Sequence, residues 1–387
     1  MSPGRSRGGG GLQDVASVTD MESQVSPFLT GLSRKLRALS IARWGPHKTL
    51  EIVGASPVFI ELQTKLEKVA RYREPVLIAG ESGVGKEQLA EAIYLLGESN
   101  GRPYVSVNCP QYQDGNLTVS ELFGHVKGSF TGAFADHRGA FEEADGGVIF
   151  LDEIGDLHPN AQAMLLRSLA AGEFRPLGAT KARSADVRVI SATNRPLNQL
   201  VLSNHFRYDL FSRLARFHLT VPPLRERGDD WLLLAEHALA RLETRYGARK
   251  RLSAASLGVL NGYAWPGNVR QLISVVTTGY AMADGDTIEP DDFVALIDRD
   301  ATVAGGTGQN VADQLFERVA RGGEDFWTSV YQPFMDRDLN RAEVKQIVRK
   351  GLVSSSHNYR DLLELFHLPA ADYQRFMDFL RHHSLKP

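Results

Sequence analysis

The string Gly80-Glu81-Ser82-Gly83-Val84-Gly85-Lys86-Glu87 constrains this chain more than any other feature. It follows the short apolar run Pro75–Ala79 and precedes the helical pattern Gln88–Leu96, the context in which a glycine-rich loop cradles phosphate. Glycines let backbone N–H groups converge on phosphate oxygens, and Lys86 adds a positive charge for the β- and γ-phosphates. The helix that starts at Glu87 aims its N-terminal dipole at the same anion. Glu87 stands where many such loops carry Ser or Thr, so the usual hydroxyl to magnesium is absent.

The rest of the chain has to supply the sheet such a loop needs. Apolar runs of strand length recur at Tyr104–Val107, Val148–Leu151, Val187–Ser191 and Phe217–Val221, separated by helical patterns such as Asn160–Leu169. Strand alternating with helix predicts an α/β fold, a parallel sheet with helices on both faces. After Pro222-Pro223 the strands stop, and Trp231–Tyr246, Ala254–Tyr263 and Val269–Met282 read as a small helical lid. The expected organisation is a short, largely disordered N-terminal segment over 1–47 and an α/β ATPase subdomain over 48–223. A lid over 224–297, a linker over 298–325 and a helical C-terminal domain over 326–387 complete it. Within the first segment, Phe28–Trp44 is basic and amphipathic: either a helix packing on its neighbour, or a stub where a partner docks.

Length and composition set the outer limits. The 387 residues are 43% hydrophobic and 23% charged, enough for two or three buried cores. With 44 basic and 46 acidic side chains, the net charge of −2 argues against coating nucleic acid nonspecifically. The single cysteine, Cys109, excludes an internal disulfide and a cysteine-metal cluster. No apolar run is long enough to span a membrane, and the expected setting is a reducing cytoplasm.

A second element sharpens the chemistry. Val148–Leu151 ends in Asp152-Glu153. A carboxylate at that strand end, beside the phosphate loop, can hold Mg2+ through water, the role expected of Asp152; Glu153 would polarise an attacking water.

With both motifs in place, the chain closely resembles the AAA+ domain of bacterial enhancer-binding proteins, the activators of sigma-54 RNA polymerase. The resemblance covers roughly residues 50–297. It includes Glu121–His125, Ala144–Gly147, Pro222–Arg227 and Trp265-Pro266-Gly267-Asn268-Val269-Arg270, and in that family Glu after the loop lysine is normal. It implies ATP and Mg2+ as cofactors, with Ile52, Val53 and Gly54 beside the adenine. It implies that Asn108 restrains the catalytic Glu153 until the nucleotide state changes, that Thr193 and Asn194 form a first sensor, and that Arg270 is the second. It makes Arg207 and Arg213 fingers reaching a neighbour's nucleotide in a ring, expected as a hexamer; singly, either could instead be a surface ion pair.

Gly128-Ser129-Phe130-Thr131-Gly132-Ala133 is similar to the family's GAFTGA signature, with Ser129 replacing the first alanine. The resemblance makes this loop the contact with sigma-54 in the promoter complex. Phe130 is expected at its exposed tip; a buried turn aromatic is the alternative reading. Val148 also departs from the family's usual Thr, a change expected to be silent.

Helix, turn and helix are read over Asn358–Phe366, His367–Ala371 and Asp372–His383, with Asp372 capping the second helix. Tyr373, Phe376, Met377 and Leu380 form its core stripe, and Gln374, Arg375, Asp378 and Arg381 face outward. This is similar, more weakly, to the Fis-type helix-turn-helix ending many family members. That makes Gln374, Arg375 and Arg381 candidate contacts to double-stranded DNA upstream of promoters. A packing or dimerisation module is the alternative.

The function so implied is an ATP-dependent transcriptional activator that remodels the sigma-54 closed complex. Fewer than fifty residues precede the ATPase core, so no receiver or sensor domain is expected and control would come from a partner protein or expression level. A nucleotide-gated repressor or scaffold, and an unfoldase or helicase loader, are the competing classes.

Overall fold

The structure is a computed structural model. It describes residues 30–97, 101–111, 115–297, 311–335, 339, 341–355, 358–383 and 385. The expectations for residues 1–29 and 298–310 lie outside these. Two compact units divide the chain, Met1–Phe293 and Val294–Pro387. Among the described residues no helix is long and apolar enough to cross a membrane.

In the first unit, helices α1 (Gly31–Trp44) and α2 (Pro57–Ala70) precede strand β1 (Val76–Ala79) and helix α3 (Lys86–Gly97). Strand β2 (Tyr104–Asn108), helix α4 (Gly115–Phe123), strand β3 (Val148–Asp152) and helix α5 (Pro159–Ala171) follow. Then come strand β4 (Arg188–Thr193), helix α6 (Leu197–Leu202), helix α7 (Tyr208–Leu214) and strand β5 (Phe217–Thr220). The five strands form one sheet in the order β2-β3-β4-β1-β5, and every pairing is parallel.

Because strand side chains alternate, the sheet feeds two cores. Val76, Ile78, Phe150 and Ile190 join Leu36, Leu62 and Ile93 on the face covered by α1, α2 and α3. Leu77, Ile149, Leu151 and Val189 join Leu122, Leu165 and Leu210 on the other, under α4, α5 and α7. These strands are apolar on both faces because neither face meets water.

The boundary expected at residue 47 cuts through the first core. Leu32 and Leu36 of α1 are buried in it, and Thr30 caps that helix, its hydroxyl accepting the Ser33 N–H at 3.2 Å. Of the two readings of this stretch, packing on the neighbour is the one observed.

The lid consists of helices α8 (Asp230–Tyr246), α9 (Ala254–Asn261) and α10 (Asn268–Met282). A short parallel pairing of Arg251–Leu252 with Thr287–Ile288 ties it together, so strand pairing does not end at Pro223 as the sequence suggested.

The second unit begins earlier than expected. Val311–Ala320, inside the expected linker, is helix α11, its Ala312, Leu315, Phe316 and Val319 stripe buried. Polar residues between those positions hide the stripe from a composition-based reading. Phe326 and Val330 continue this core, and helices α12 (Arg341–Ser354), α13 (Tyr359–Leu365) and α14 (Tyr373–His382) close it. Gly351 lets α12 and α13 touch: a Cβ there would lie 2.3 Å from Leu362 Cδ1.

Candidate active site

The phosphate loop turns between β1 and α3, where Gly83 and Gly85 adopt φ of 78° and 99°. Only glycine takes these without strain. Gly83 also has no room for a side chain, since a Cβ would sit 2.3 Å from the Gly267 carbonyl oxygen. Lys86 is 7% exposed. Its ammonium donates to the Gly80 and Glu81 carbonyls at 3.1 and 3.2 Å and lies 3.4 Å from Glu153 Oε1.

A cleft of about 390 Å³ opens over this loop. Ser82, Gly83, Val84, Gly85, Lys86 and Glu87 line one end, with Asp152, Glu153 and Arg270 beside them. Ile52, Val53, Phe59, Leu234 and Ile273 give the other end an apolar lining. An end where Lys86, Arg270 and the loop's backbone N–H groups gather, and an end with an apolar lining, suit a nucleotide, phosphates on one side and base on the other. Burial pushes the Asp152 carboxyl above the ordinary aspartate range, against the pull of the Glu153 N–H and Lys86. Among the described residues no cluster of three His, Cys, Asp or Glu could hold a metal. Mg2+ would therefore rely on Asp152, water and nucleotide oxygens, which suits a hard cation that keeps its waters.

Several expected residues sit elsewhere. Glu153, in the left-handed region at φ 49°, is not restrained by Asn108; Asn108 is exposed at the end of β2 and makes no hydrogen bond to it. The Glu153 carboxylate instead accepts the Asn194 backbone N–H at 2.9 Å, with Lys86 on its other oxygen. Thr193 is buried, and its carbonyl accepts the Gly80 N–H at 3.2 Å, so β4 touches the start of the phosphate loop through backbone. Gly54 packs rather than lines: a Cβ would meet Phe59 at 2.5 Å and Asp230 at 2.7 Å. Glu81 points away from the cleft to Arg225, with oxygen–nitrogen distances of 2.6 and 2.8 Å.

Arg207 and Arg213 are exposed on and before α7 and do not line their own cleft. Arg207 forms a two-pronged pair with Asp209 at 2.8 and 3.0 Å, and Arg213 donates to the Leu169 carbonyl at 3.3 Å.

The cleft also holds residues the sequence reading passed over. Arg227 is buried; it donates to the Pro222 and Val84 carbonyls and stacks 4.1 Å from the Phe59 ring centre. Burial lowers its guanidinium to about 10. Glu51 joins His237 Nε2 at 2.6 Å and Arg37 Nε at 2.9 Å, and the His237 bond foremost holds its carboxyl below the usual range. Leu234, His237 and Arg241 share one face of α8 at helical spacing, a signal present in the sequence.

The loop Gly128–Ala133 stands on its own stem. His125 and His137 pair as an antiparallel bridge, and Val126 donates to the Leu177 carbonyl at 3.0 Å. The loop closes on itself through Gly128 N–H to Ala133 O at 2.8 Å and Ala133 N–H to Phe130 O at 3.0 Å. Thr131 and Gly132 are exposed, but Phe130 is half-buried, edge-on to His125 with ring centres 5.0 Å apart. The exposed aromatic is Phe134, at 86%. His125 holds Phe130 down because Ser120 Oγ, 2.7 Å from Nδ1, fixes the imidazole.

In the second unit, Gln374, Arg375, Asp378 and Arg381 are exposed and Phe376, Met377 and Leu380 buried. Asp372 does not cap α14 with its side chain; that carboxylate accepts from Trp327 Nε1 at 3.1 Å. Arg375 lies 4.0 Å over the Trp327 ring, and Gln374 and Arg381 both turn to Asp378.

Comparison with known proteins places this geometry. Residues 52–220 match the family described as the sigma-54 interaction domain, and residues 225–307 the AAA+ ATPase lid domain. The chain carries a sigma-54 interaction domain followed by an AAA+ ATPase lid domain. It is 42% identical over 287 residues to the nitrogen fixation protein AnfA of Azotobacter vinelandii, covering 71% of this chain and 54% of AnfA. To the nitric oxide reductase transcription regulator NorR1 of Cupriavidus necator it is 44% identical over 274 residues, 69% of this chain and 53% of NorR1. The chain thus spans about half the length of the curated relatives it matches. NtrX from Brucella abortus in complex with ATP superposes with a TM-score of 0.59 at 25% identity, over 95% of this chain and 74% of NtrX. The phosphate loop, the lid helices and the GAFTGA-like loop all lie within the matched residues.

Proposed function

We propose that this chain is an ATP-dependent transcriptional activator that remodels the sigma-54 RNA polymerase closed complex into an open one. The observation that carries the reading is the meeting of Lys86, Asp152, Glu153 and Arg270 around one cleft, with a GAFTGA-like loop on a separate stem. In the structure both Glu153 carboxylate oxygens are engaged, one by Lys86 and the other by the Asn194 N–H. Lys86 turns to the incoming γ-phosphate, and the released Glu153 polarises the attacking water. Arg270 neutralises phosphate charge from the lid, while Arg207 and Arg213 do so from a neighbouring subunit of a ring, a hexamer. Asp152 would hold Mg2+ through water, and the ion would supply further positive charge beside the phosphates. The loop Gly128–Ala133 meets sigma-54, and α14 presents Gln374, Arg375 and Arg381 to DNA.

The test is in vitro transcription with sigma-54 and housekeeping holoenzymes, with and without ATP. Open complexes should form only with sigma-54 and ATP. Glu153→Gln should bind ATP while hydrolysis falls by about 10²-fold or more, and Thr131→Ala should keep hydrolysis and lose open complexes. Wild-type turnover in Glu153→Gln, or activation independent of sigma-54, overturns the reading.

A further inference from the structure

Asn268, the first residue of α10, is fully buried and left-handed at φ 53°. Asparagine is one of the few residues that takes this conformation at low cost. Its amide does not cap its own helix; every bond it makes goes to another segment. Nδ2 donates to Glu81 Oε2 at 3.0 Å and to the Ser82 carbonyl at 3.1 Å. Oδ1 accepts the Leu224 N–H at 2.8 Å, where the lid departs from the sheet. Two residues on, the Arg270 N–H donates to the Gly83 carbonyl and its Nη1 to Ser82 Oγ, both at 3.2 Å.

We propose that Asn268 is a positioning residue that ties the lid to the outer turn of the phosphate loop, so that Arg270 and Lys86 address the same phosphate. The tie rests on the reading of this cleft as an ATP-hydrolysing site. Glu81 and Arg225 are each more than 40% exposed, and a pair that exposed holds little by itself. The buried amide contributes what water cannot: removing it leaves the buried Leu224 N–H without its acceptor and takes away the donor shared by Glu81 and the Ser82 carbonyl. The contact at Gly83 leaves no slack between the two bodies, so movement of α10 is passed to residues 81–83. Lid position and phosphate-loop shape are then one variable.

The experiment is a double-mutant cycle in the full chain. Asn268→Asp keeps the left-handed residue and the acceptor for Leu224, but turns the two donors into an acceptor facing the Glu81 carboxylate and the Ser82 carbonyl. It should lower kcat about tenfold or more and raise amide exchange of residues 82–86 by a similar factor, with ADP affinity changed less than about threefold. Glu81→Gln in that background returns a donor opposite the new acceptor and should recover a large part of both losses. Wild-type kcat and exchange in Asn268→Asp overturn the tie. So does a loss that Glu81→Gln does not relieve, which would mark Asn268 as part of the general fold. If the wild-type chain hydrolyses no ATP, the functional reading fails, and amide exchange alone decides whether the tie exists.

Discussion

Ser129 is where this chain departs from its family's loop signature, and its hydroxyl is buried with no hydrogen-bond partner. The loop rests on Gly178, where a Cβ would stand 2.7 Å from Ser129 Cβ, so no side chain fits beneath Ser129 there. A buried hydroxyl without a partner costs about 1–3 kcal/mol, a penalty that disappears once the loop leaves its seat. Ser129→Ala should therefore stabilise the seated loop and slow amide exchange at Gly128 and Ala133 by about three- to tenfold. Equal or faster exchange would mean that the hydroxyl finds a partner in solution. Phe130 gives the same lesson from the apolar side: a tip aromatic would be wasted on solvent, and His125 covers it while Phe134 takes the exposed position.

Among the elements, α14 shows how a correct pattern can carry an incomplete inference. Its buried stripe and its outward residues fall where helical spacing puts them. Spacing cannot say what the outward residues touch, and Arg375 stacks on Trp327, a residue 48 positions away on the short π-helical turn Trp327–Tyr331. Cation–π stacking at an accessible site is worth about 0.5–1 kcal/mol. Arg375→Ala should lower the unfolding free energy of the C-terminal unit by about that amount, read by denaturant titration. Arg381→Ala, paired only across solvent with Asp378 at 3.7 Å, should leave the midpoint unchanged within error. Should both substitutions reduce DNA affinity and its salt slope equally, the two arginines contact phosphate alike and the stacking is incidental.

At the scale of the whole molecule, Arg207 and Arg213 lie outside the cleft that Arg227, Arg241 and Arg270 line, so the proposed action of the first two on a nucleotide requires another copy of the chain. A ring built on such a head-to-tail interface can be tested by mixing two inactive chains. Glu153→Gln keeps its arginines and Arg213→Ala keeps its glutamate. Random assembly should restore roughly a quarter of wild-type ATPase, the share of interfaces that pair an intact site with an intact arginine. No recovery on mixing would place Arg213 in its own subunit's chemistry, or outside the chemistry altogether.

The sequence by itself determined the parallel sheet, the phosphate loop and the acidic strand end, because each is written in contiguous residues with a fixed period or spacing. Strand limits at β1, β3 and β5 fell within a residue of those expected from apolar runs. Only the tertiary structure decided what holds Glu153, which way Glu81 faces, that Asn268 binds two other segments, and that Glu51, His237 and Arg37 meet. Those contacts join residues tens to hundreds of positions apart. A periodic pattern reports which side of an element is buried, whereas hydrogen-bond partners depend on how finished elements dock.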